Sequence, residues 1–294
     1  MRLAINGQQL AELYPLREML GRVMSLGVDA VELWPRNLPG GNTDEEKQRY
    51  ETKDVKGAAR VLRELGLGAA CVTLGFDALP MALRRGGVSA CTEALTGAVE
   101  TAEALGSALV NCYLAGIPGP TFAEAAGPAA EAARKRRITI VLENEAHDDS
   151  ATPEGMLEIL DAVDSPALKT LYDPCNYYQA REEPYPFTYE ALKDRIGYVH
   201  LKGGVTYRAG SEAHRGGTLR GVADSYIGYV PLSASAYDVA AVVGRLVRDG
   251  YRGFVTLEPH VPAQEVETFL AADLDHLRPL LDAGHLPPTQ HRSE

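Results

Sequence analysis

Short apolar runs alternate with longer helical patterns along this chain. The helical stretches, such as PLREMLGRVMSLG and YDVAAVVGRLVRDG, carry apolar residues at three-to-four spacing and reach Gly where a helix would end. Strand and helix alternating eight times predict a closed parallel (β/α)8 barrel, with residues 1–294 as a single domain. The predicted strands are Leu3 to Ile5, Ala30 to Leu33, Ala69 to Leu74, Ala108 to Cys112, Ile138 to Leu142, Lys169 to Tyr172, Gly197 to Leu201 and Phe254 to Leu257.

The alternative architecture is an open doubly wound sheet. That fold favours a Gly-rich phosphate turn after an early strand, and neither GxGxxG nor GxxxxGK[ST] occurs in the sequence. The closed barrel is therefore the preferred prediction.

Two segments depart from the simple alternation. Residues 77–106 hold two helical patterns separated by RRGG at 84–87, which predicts a pair of helices that overhangs the barrel mouth. Residues 203–233 are rich in Gly and Ser and show no clear period, so we expect an extended loop after strand seven that acts as a lid or an interface arm, with disorder as the alternative. Residues 283–294 are expected to be a frayed tail.

Composition limits the classes of partner and the cellular compartment that we expect for this protein. The net charge of −11 argues against nucleic acid and against an anionic membrane surface. No apolar stretch is long enough to span a bilayer, and MRLAINGQQL lacks the pattern of a signal peptide, so we expect a cytoplasmic protein. The four cysteines show no CxxC spacing and are interpreted as small buried apolar residues without a chemical role.

Four of the apolar runs end in a side chain that binds metals well. Solvated strand ends are the ordinary explanation for a single acidic residue at such a place, but four in succession indicate a shared site, because the carboxyl ends of barrel strands meet at one rim. One imidazole and three carboxylates suit a divalent ion, with Mn²⁺ the first expectation and Mg²⁺, Co²⁺ or Zn²⁺ the alternatives. The predicted ligands are Glu143 after ITIVL, Asp173 after LKTLY, His200 after IGYV and Glu258 after FVTL.

The segments VLENEAHDD, LYDPCN, YVHLK and TLEPH, in that order, resemble the sugar phosphate isomerase/epimerase family of xylose isomerase-like TIM barrels. The resemblance covers most of the chain, although only these four motifs are specific. It implies that Glu143, Asp173, His200 and Glu258 bind one divalent metal and that the two glutamates flank the carbon whose proton moves.

The chemistry supports the same arrangement. Removing a proton next to a carbonyl creates an enediolate, which a divalent cation stabilises. A carboxylate on each face then allows epimerisation, and Glu143 and Glu258 lie three strands apart around an eight-strand ring, so they can face each other as catalytic residues.

The substrate residues depart from the epimerase pattern. Asn176 stands where the sugar epimerases usually have His, and Thr206 where they often have a substrate-binding Arg, which Arg208 is expected to replace. Asp149 is a partial match to a substrate-contacting Glu.

Further residues near the predicted strand ends are candidates for the site. His147 is a candidate general acid or base, with a hydrogen-bonded surface histidine as the alternative. Lys202 could hold an oxyanion or phosphate, or pair with a nearby carboxylate, and His260 repeats the two-residue alternation beyond Glu258. Trp34 could stack on a sugar or pack in the core, and the neighbouring Glu32 could touch the substrate.

A metal-dependent isomerase or epimerase of a sugar or sugar derivative is the main functional prediction. The alternative is a lyase of the same fold, either an inosose-type dehydratase or a barrel subunit that cleaves 3-oxo-C-glycosides together with a small second subunit. A homo-oligomer is also compatible with the sequence. A polyol-binding protein without activity and a multi-zinc endonuclease are less favoured, because the four ligands are intact and only one of seven histidines falls at a ligand position.

Overall fold

A computed structural model describes residues 1–208, 219–220 and 225–283 of the chain. Eight parallel strands close into a barrel in the order β1-β11-β7-β6-β5-β4-β3-β2, which confirms the predicted (β/α)8 architecture. Each predicted strand is present to within about two residues at its ends. The barrel strands are β1 (Arg2–Asn6), β2 (Ala30–Leu33), β3 (Gly68–Thr73), β4 (Leu109–Cys112), β5 (Thr139–Glu143), β6 (Leu168–Tyr172), β7 (Ile196–Leu201) and β11 (Phe254–Leu257).

Helices cover the outside of the barrel, and local signals fix where they begin and end. The helix at Val55–Leu65 begins at Asp54, whose side chain accepts a hydrogen bond from the Gly57 N–H, and it ends at Gly66 in the left-handed conformation. The helices of the described residues are α1 (Leu16–Ser25), α2 (Val55–Leu65), α3 (Ala78–Leu105), α4 (Gly119–Lys135), α5 (Pro153–Val163), α6 (Pro174–Gln179), α7 (Tyr189–Leu192), α8 (Val239–Arg248) and α9 (Val266–Ala283).

The barrel strands bury both of their faces, as parallel strands in a closed barrel must. One apolar cluster consists of strand residues alone, among them Ala70, Val141 and Leu171, and it fills the barrel interior. The larger cluster joins strand residues such as Val31 and Val72 to the helices. The four cysteines are buried and unpaired within these packed regions, as expected.

The segment 77–106 is interrupted where the sequence predicted. Gly86 and Gly87 have non-helical backbone angles inside α3, and Gly87 has φ +67°. Because side chains rarely adopt that conformation, the RRGG sequence divides the crossover into two helical parts.

The expectation of an aperiodic loop over residues 203–233 is wrong for its described part. Two strands, β8 (Gly203–Arg208) and β10 (Ser225–Val230), pair antiparallel, and the short β9 (Leu219–Arg220) pairs with β10. The glycines reflect close packing, since a Cβ at Gly204 would lie 2.5 Å from the Cys175 Sγ and one at Gly228 would lie 2.3 Å from the Tyr207 ring. Residues 209–218 and 221–224 lie outside the described residues.

The predicted tail, 283–294, overlaps the described chain only at the last residue of α9, and residues 284–294 lie outside the described residues. Within the described ranges, no helix combines the length and apolar character that crossing a membrane requires.

Candidate metal centre

The four predicted ligands converge at the carboxyl ends of neighbouring strands. Glu143 is the last residue of β5, Asp173 follows β6 directly, His200 lies near the end of β7, and Glu258 follows β11. One ligand atom from each of the four lies within 4.8 Å of all the others, and none of the side chains is more than 2% exposed. The sequence placed these residues at strand ends, and the closed barrel brings those ends together.

The donor set fits a divalent cation. Among the described residues, the buried Nδ1 atom of His200 has no hydrogen-bond partner, and it lies 3.4 Å from the Glu143 Oε1 atom and 3.4 Å from the Glu258 Oε2 atom. A buried ring nitrogen without a hydrogen-bond partner, between carboxylate oxygens, is typical of a ligand cluster. The cluster could therefore hold a divalent ion, and its oxygen-rich composition favours Mn²⁺, Mg²⁺, Co²⁺ or Zn²⁺ over metals that need thiolates.

Amide groups hold one oxygen of each of the two glutamates in the cluster. The Asn111 Nδ2 donates to the Glu143 Oε2 atom at 2.8 Å, and the Asn6 Nδ2 donates to the Glu258 Oε1 atom at 2.9 Å. Both of the other carboxylate oxygens lie 3.4 Å from His200 Nδ1. The two glutamates are thus fixed with one oxygen each turned toward the centre of the cluster.

The Glu32 carboxylate contacts the His200 imidazole on the side that faces away from the cluster. Its Oε2 atom lies 2.6 Å from the His200 Nε2 atom and accepts a hydrogen bond from the Tyr198 hydroxyl at 2.8 Å, while the Thr73 hydroxyl donates to Oε1 at 2.6 Å. A carboxylate at Nε2 keeps a proton on that nitrogen, so Nδ1 is the ring nitrogen that faces the cluster. The Glu32 carboxylate is fully buried among these partners, which gives it a structural role, and its contact with substrate stays a prediction.

Positive charge inside the cluster balances the carboxylates. Burial favours the neutral form of His200, but the surrounding carboxylates, Glu32 first, outweigh it and raise the pKa of His200 well above its usual range. Burial likewise opposes the charged form of Lys202, but Asp173 and Glu258 raise the pKa of this amine well above its usual range. Metal binding must compete with these cations.

Lys202 forms an ion pair with nearby carboxylates, which was the alternative role predicted for it from the sequence. Its Nζ atom lies 2.7 Å from the Asp173 Oδ2 atom and 2.7 Å from the Glu258 Oε2 atom, and the side chain is 3% exposed. Burial raises the pKa of Glu258, but Lys202 and then His200 outweigh burial and hold that pKa well below its usual range. The ammonium therefore keeps Glu258 ionised.

Asn176 and Asp149 are held by contacts within the protein. The Asn176 Nδ2 donates to the Asn144 carbonyl at 2.8 Å, and its backbone N–H donates to the Asp173 Oδ1 atom at 3.0 Å, so that Asp173 also caps α6. The Asp149 Oδ2 atom accepts a hydrogen bond from the Gly119 N–H at 2.8 Å, at the start of α4. These contacts give both side chains structural roles that the sequence did not indicate, and their contact with substrate stays a prediction.

The remaining candidates divide into neighbours of the cluster and others. The His260 Nε2 atom lies 3.3 Å from the Glu258 Oε2 atom, and the His260 ring lies against Tyr229 at a tilt of 32°, with centroids 4.9 Å apart. His147 is exposed, with its Nε2 atom 3.5 Å from the Gln179 Nε2 atom, and it does not belong to the ligand cluster. The Arg208 side chain lies outside the described residues.

Trp34 is packed in the protein, as its alternative role predicted. It is 5% exposed, and its ring centroid lies 6.0 Å from that of Tyr113. Trp34 also lines a cavity whose wall includes His260.

Sequence reasoning missed Glu145, two residues beyond Glu143. Burial, and then the charge of Glu143, raises the pKa of this partly buried carboxyl well above its usual range. A carboxyl group whose pKa is raised in this direction is a candidate proton donor. Glu145 lies two residues beyond Glu143, as His260 lies two residues beyond Glu258. The same spacing could therefore have identified Glu145 from the sequence.

Comparison with solved structures shows the same fold. An L-ribulose 3-epimerase structure has a TM-score of 0.70 at 16% identity, covering 96% of this chain and 95% of that chain. The probable 3-DHS dehydratase AsbF from Bacillus anthracis has a TM-score of 0.69 at 16% identity, covering 94% and 98%. A xylose isomerase-like TIM barrel protein from Mycobacterium smegmatis, in complex with magnesium, has a TM-score of 0.70 at 13% identity, covering 96% and 97%. At these identities the likeness shows the fold alone.

Comparison with sequence families identifies the family of this chain. A search of the curated proteins found no match. The sequence profile of the xylose isomerase-like TIM barrel family, in contrast, matches residues 20–280, which is most of the 294 residues. The chain therefore belongs to the xylose isomerase-like TIM barrel family.

Proposed function

We propose that this chain is a divalent-metal-dependent isomerase or epimerase of a sugar or sugar derivative, which moves a proton on a carbon next to a carbonyl. The observation that carries the proposal is the placement of Glu143 and Glu258 beside the same ligand nitrogen, His200 Nδ1, at 3.4 Å each. Two fixed carboxylates at one cation site can serve as base and acid toward a single carbon. The epimerase and dehydratase on the same fold are consistent with such chemistry.

Each carboxylate has a defined task in this proposal. Glu258 is held ionised by Lys202 and oriented by Asn6, so it is ready to accept a proton. Glu143, oriented by Asn111 on a strand three positions away around the ring, returns a proton to the other face. Asp173 and His200 complete the set that would hold the cation.

The cation supplies electrostatic stabilisation when it is bound: it would polarise the carbonyl and stabilise the negative charge that develops as the carbon loses its proton. We propose Mn²⁺, because three carboxylates and one imidazole suit a cation between the hardest and the softest biological metals.

A lyase is the second candidate, and one observation favours it. Two groups able to hold or protonate an oxyanion contact Glu258: the Lys202 Nζ atom at 2.7 Å and the His260 Nε2 atom at 3.3 Å. Elimination begins with the same proton abstraction and then expels a group from the next carbon, so a nearby proton donor would assist the leaving group.

Mass spectrometry in deuterated water tests both candidates. Mn²⁺-loaded protein is incubated with a panel of ketoses, inososes and 3-oxo-glycosides, and a chelator-treated sample is the control. Deuterium gain without change of composition supports the isomerase or epimerase, and loss of water or an aglycone supports the lyase. If neither occurs with any compound in the panel, the proposed function is wrong.

A further inference from the structure

The ammonium group of Lys202 contacts one oxygen of each of two proposed metal ligands. The Asp173 Oδ1 atom accepts a hydrogen bond from the Asn176 N–H at 3.0 Å. The Glu258 Oε1 atom accepts one from the Asn6 amide at 2.9 Å. The other oxygen of each carboxylate, Asp173 Oδ2 and Glu258 Oε2, lies 2.7 Å from the Lys202 Nζ atom. The ammonium group therefore lies between the two oxygens that these amide groups do not contact.

The ammonium group is a fixed part of the cluster. The Lys202 side chain is buried, and its carbonyl oxygen accepts a hydrogen bond at 2.8 Å from the hydroxyl of Tyr237, which belongs to the apolar core. Within the described residues, Nζ contacts no acceptor other than the carboxylates of Asp173 and Glu258. Moving it away from both would leave a charge unpaired in a buried place, which is strongly unfavourable.

Glu143 does not pair with this ammonium group. Its Oε2 atom accepts a hydrogen bond from the Asn111 amide at 2.8 Å, and its Oε1 atom lies 3.4 Å from the His200 Nδ1 atom. In the part of the chain that the structure describes, no lysine or arginine forms an ion pair with Glu143. The charge of Lys202 therefore acts most directly on one side of the cluster, at Asp173 and Glu258.

A cation bound by the four ligands would lie close to the ammonium group. Both would use the same carboxylate oxygens, so their positive charges would repel each other in a buried site, where repulsion is screened far less than in water. Coulomb repulsion is proportional to the charge of the ion, so it opposes a trivalent ion more than a divalent one.

We propose that Lys202 determines which cation the cluster binds and how tightly. Its charge makes the site selective for divalent over trivalent ions and lowers the affinity for the divalent ion, which keeps that ion exchangeable. This inference rests on the metal site of the proposed function but not on the proton transfer. Lys202 is thus a specificity-determining residue for the metal.

Isothermal titration of Mn²⁺ into chelator-treated protein measures the effect on affinity. Lys202→Met removes the ammonium group and keeps an unbranched, flexible side chain. Mn²⁺ should bind this variant at least about 10-fold more tightly than the original protein, because a nearby positive charge is gone. A lysine that only supported the cluster would give the opposite result, since its loss would weaken binding.

Lys169→Met is the matched control. It removes the same charge from the same barrel, but Lys169 lies near the start of β6, at the end of the strand away from Asp173. Its affinity for Mn²⁺ should stay within a few-fold of the original.

Titration with Lu³⁺ separates the charge of Lys202 from the space that it fills. Lu³⁺ is close to Mn²⁺ in size but carries one more positive charge. Removing a positive neighbour should therefore raise the affinity for Lu³⁺ by a larger factor than the affinity for Mn²⁺. A variant that merely made room for the ion would gain equally for both.

Lys202→Gln is a second neutral variant, and it keeps an N–H donor toward Glu258. Urea denaturation with and without saturating Mn²⁺ checks that both variants fold. The proposal is overturned if either folded variant binds Mn²⁺ no more tightly than the original protein, or if the gain for Lu³⁺ does not exceed the gain for Mn²⁺. It is also overturned if neither variant folds with saturating Mn²⁺, because Lys202 would then be required for the fold itself.

The original protein separates these results from the proposed function. If it does not bind Mn²⁺, the metal site is rejected and this inference with it. If it binds Mn²⁺ and exchanges deuterium into a substrate, but the variants bind the ion no more tightly, only the role of Lys202 is rejected. Tighter binding in the variants without deuterium exchange in any protein rejects the proton transfer and supports the role of Lys202.

Discussion

The Glu32 carboxylate lies 2.6 Å from the Nε2 atom of His200, on the side of the imidazole that faces away from the cluster. Both side chains are completely buried, and β2 and β7, which carry them, are not neighbours in the barrel. The contact therefore crosses the barrel interior. Metal-binding histidines commonly donate their second ring N–H to such a carboxylate, which fixes the ring and raises its basicity.

Glu32→Gln should weaken metal binding, although Glu32 is not one of the four proposed ligands. The amide cannot stabilise the Nε2 proton as a carboxylate does, so the affinity for Mn²⁺ should fall about 10- to 100-fold. Isothermal titration of the metal into the chelator-treated protein measures the change.

Tyr198→Phe is the matched control for this variant. The Tyr198 hydroxyl donates to the same Glu32 oxygen at 2.8 Å, so the substitution disturbs the buried network without changing the charge at His200. Its metal affinity should stay within a few-fold of the original. Equal affinities in Glu32→Gln and the unmodified protein would show that the carboxylate does not tune the imidazole.

Asp173 caps α6 and is also a proposed metal ligand, and the two roles can be separated. Asp173→Ala should lose the metal and all turnover, because it removes a ligand oxygen, whereas Asp173→Asn keeps an amide oxygen and should bind the metal more weakly. Only the alanine variant loses the hydrogen bond from the Asn176 N–H, and it should therefore be less stable than the asparagine variant by about 1 kcal/mol.

Elemental analysis and urea denaturation measure these two effects. Normal metal content in Asp173→Ala would remove Asp173 from the proposed ligand set. Equal unfolding free energies of the two variants would show that the cap contributes nothing.

Glu258→Gln distinguishes a ligand from a base. The amide oxygen can still coordinate, so metal affinity should fall modestly, but the variant has no carboxylate to accept a proton. Proton exchange at the substrate carbon should then fall by about two to four orders of magnitude. If deuterium enters at the original rate in the metal-loaded variant, Glu258 is a ligand only.

The sequence predicted the barrel and the ligand cluster for one physical reason. In a parallel barrel the carboxyl ends of all strands meet at one rim, so residues such as Asp173 and Glu258 are brought together once the strands are located. Strand periodicity and the residue types at the strand ends predicted the cluster, and one atom from each of the four side chains lies within 4.8 Å of the others.

Contacts between side chains could not be predicted in the same way. The contact between Glu32 and His200 depends on how the side chains of different strands pack inside the barrel, and no local sequence pattern predicts that packing. The capping of Gly119 by Asp149 joins two loops 30 residues apart. The Gly-rich segment after β7 suggested a loop because glycine lowers strand propensity, whereas Gly204 and Gly228 are needed for close packing in the β8–β10 pair.

Asp273 should make the stability of the protein depend on pH. Burial raises its pKa from the ordinary value of 3.8 to about 6, although the hydrogen bond from the Leu232 N–H, at 2.7 Å, opposes that shift. Between about pH 4 and pH 6 the folded protein holds this proton more tightly than the unfolded chain does. The free energy of unfolding should therefore fall as the pH rises through this window.

Asp273→Asn removes the titration but keeps an oxygen that can accept the hydrogen bond from Leu232. The variant should be more stable than the original protein at pH 7–8, by about 1–3 kcal/mol, since two pKa units set the upper limit. Below about pH 4 the two proteins should have similar stability, because the original carboxyl is then protonated in both states. Urea denaturation across pH 4–8 measures the difference, and Asp275→Asn, at an exposed position of the same helix, should leave the pH profile unchanged. A profile for Asp273→Asn that runs parallel to the original across the whole range would show that the buried carboxyl does not titrate as its surroundings require.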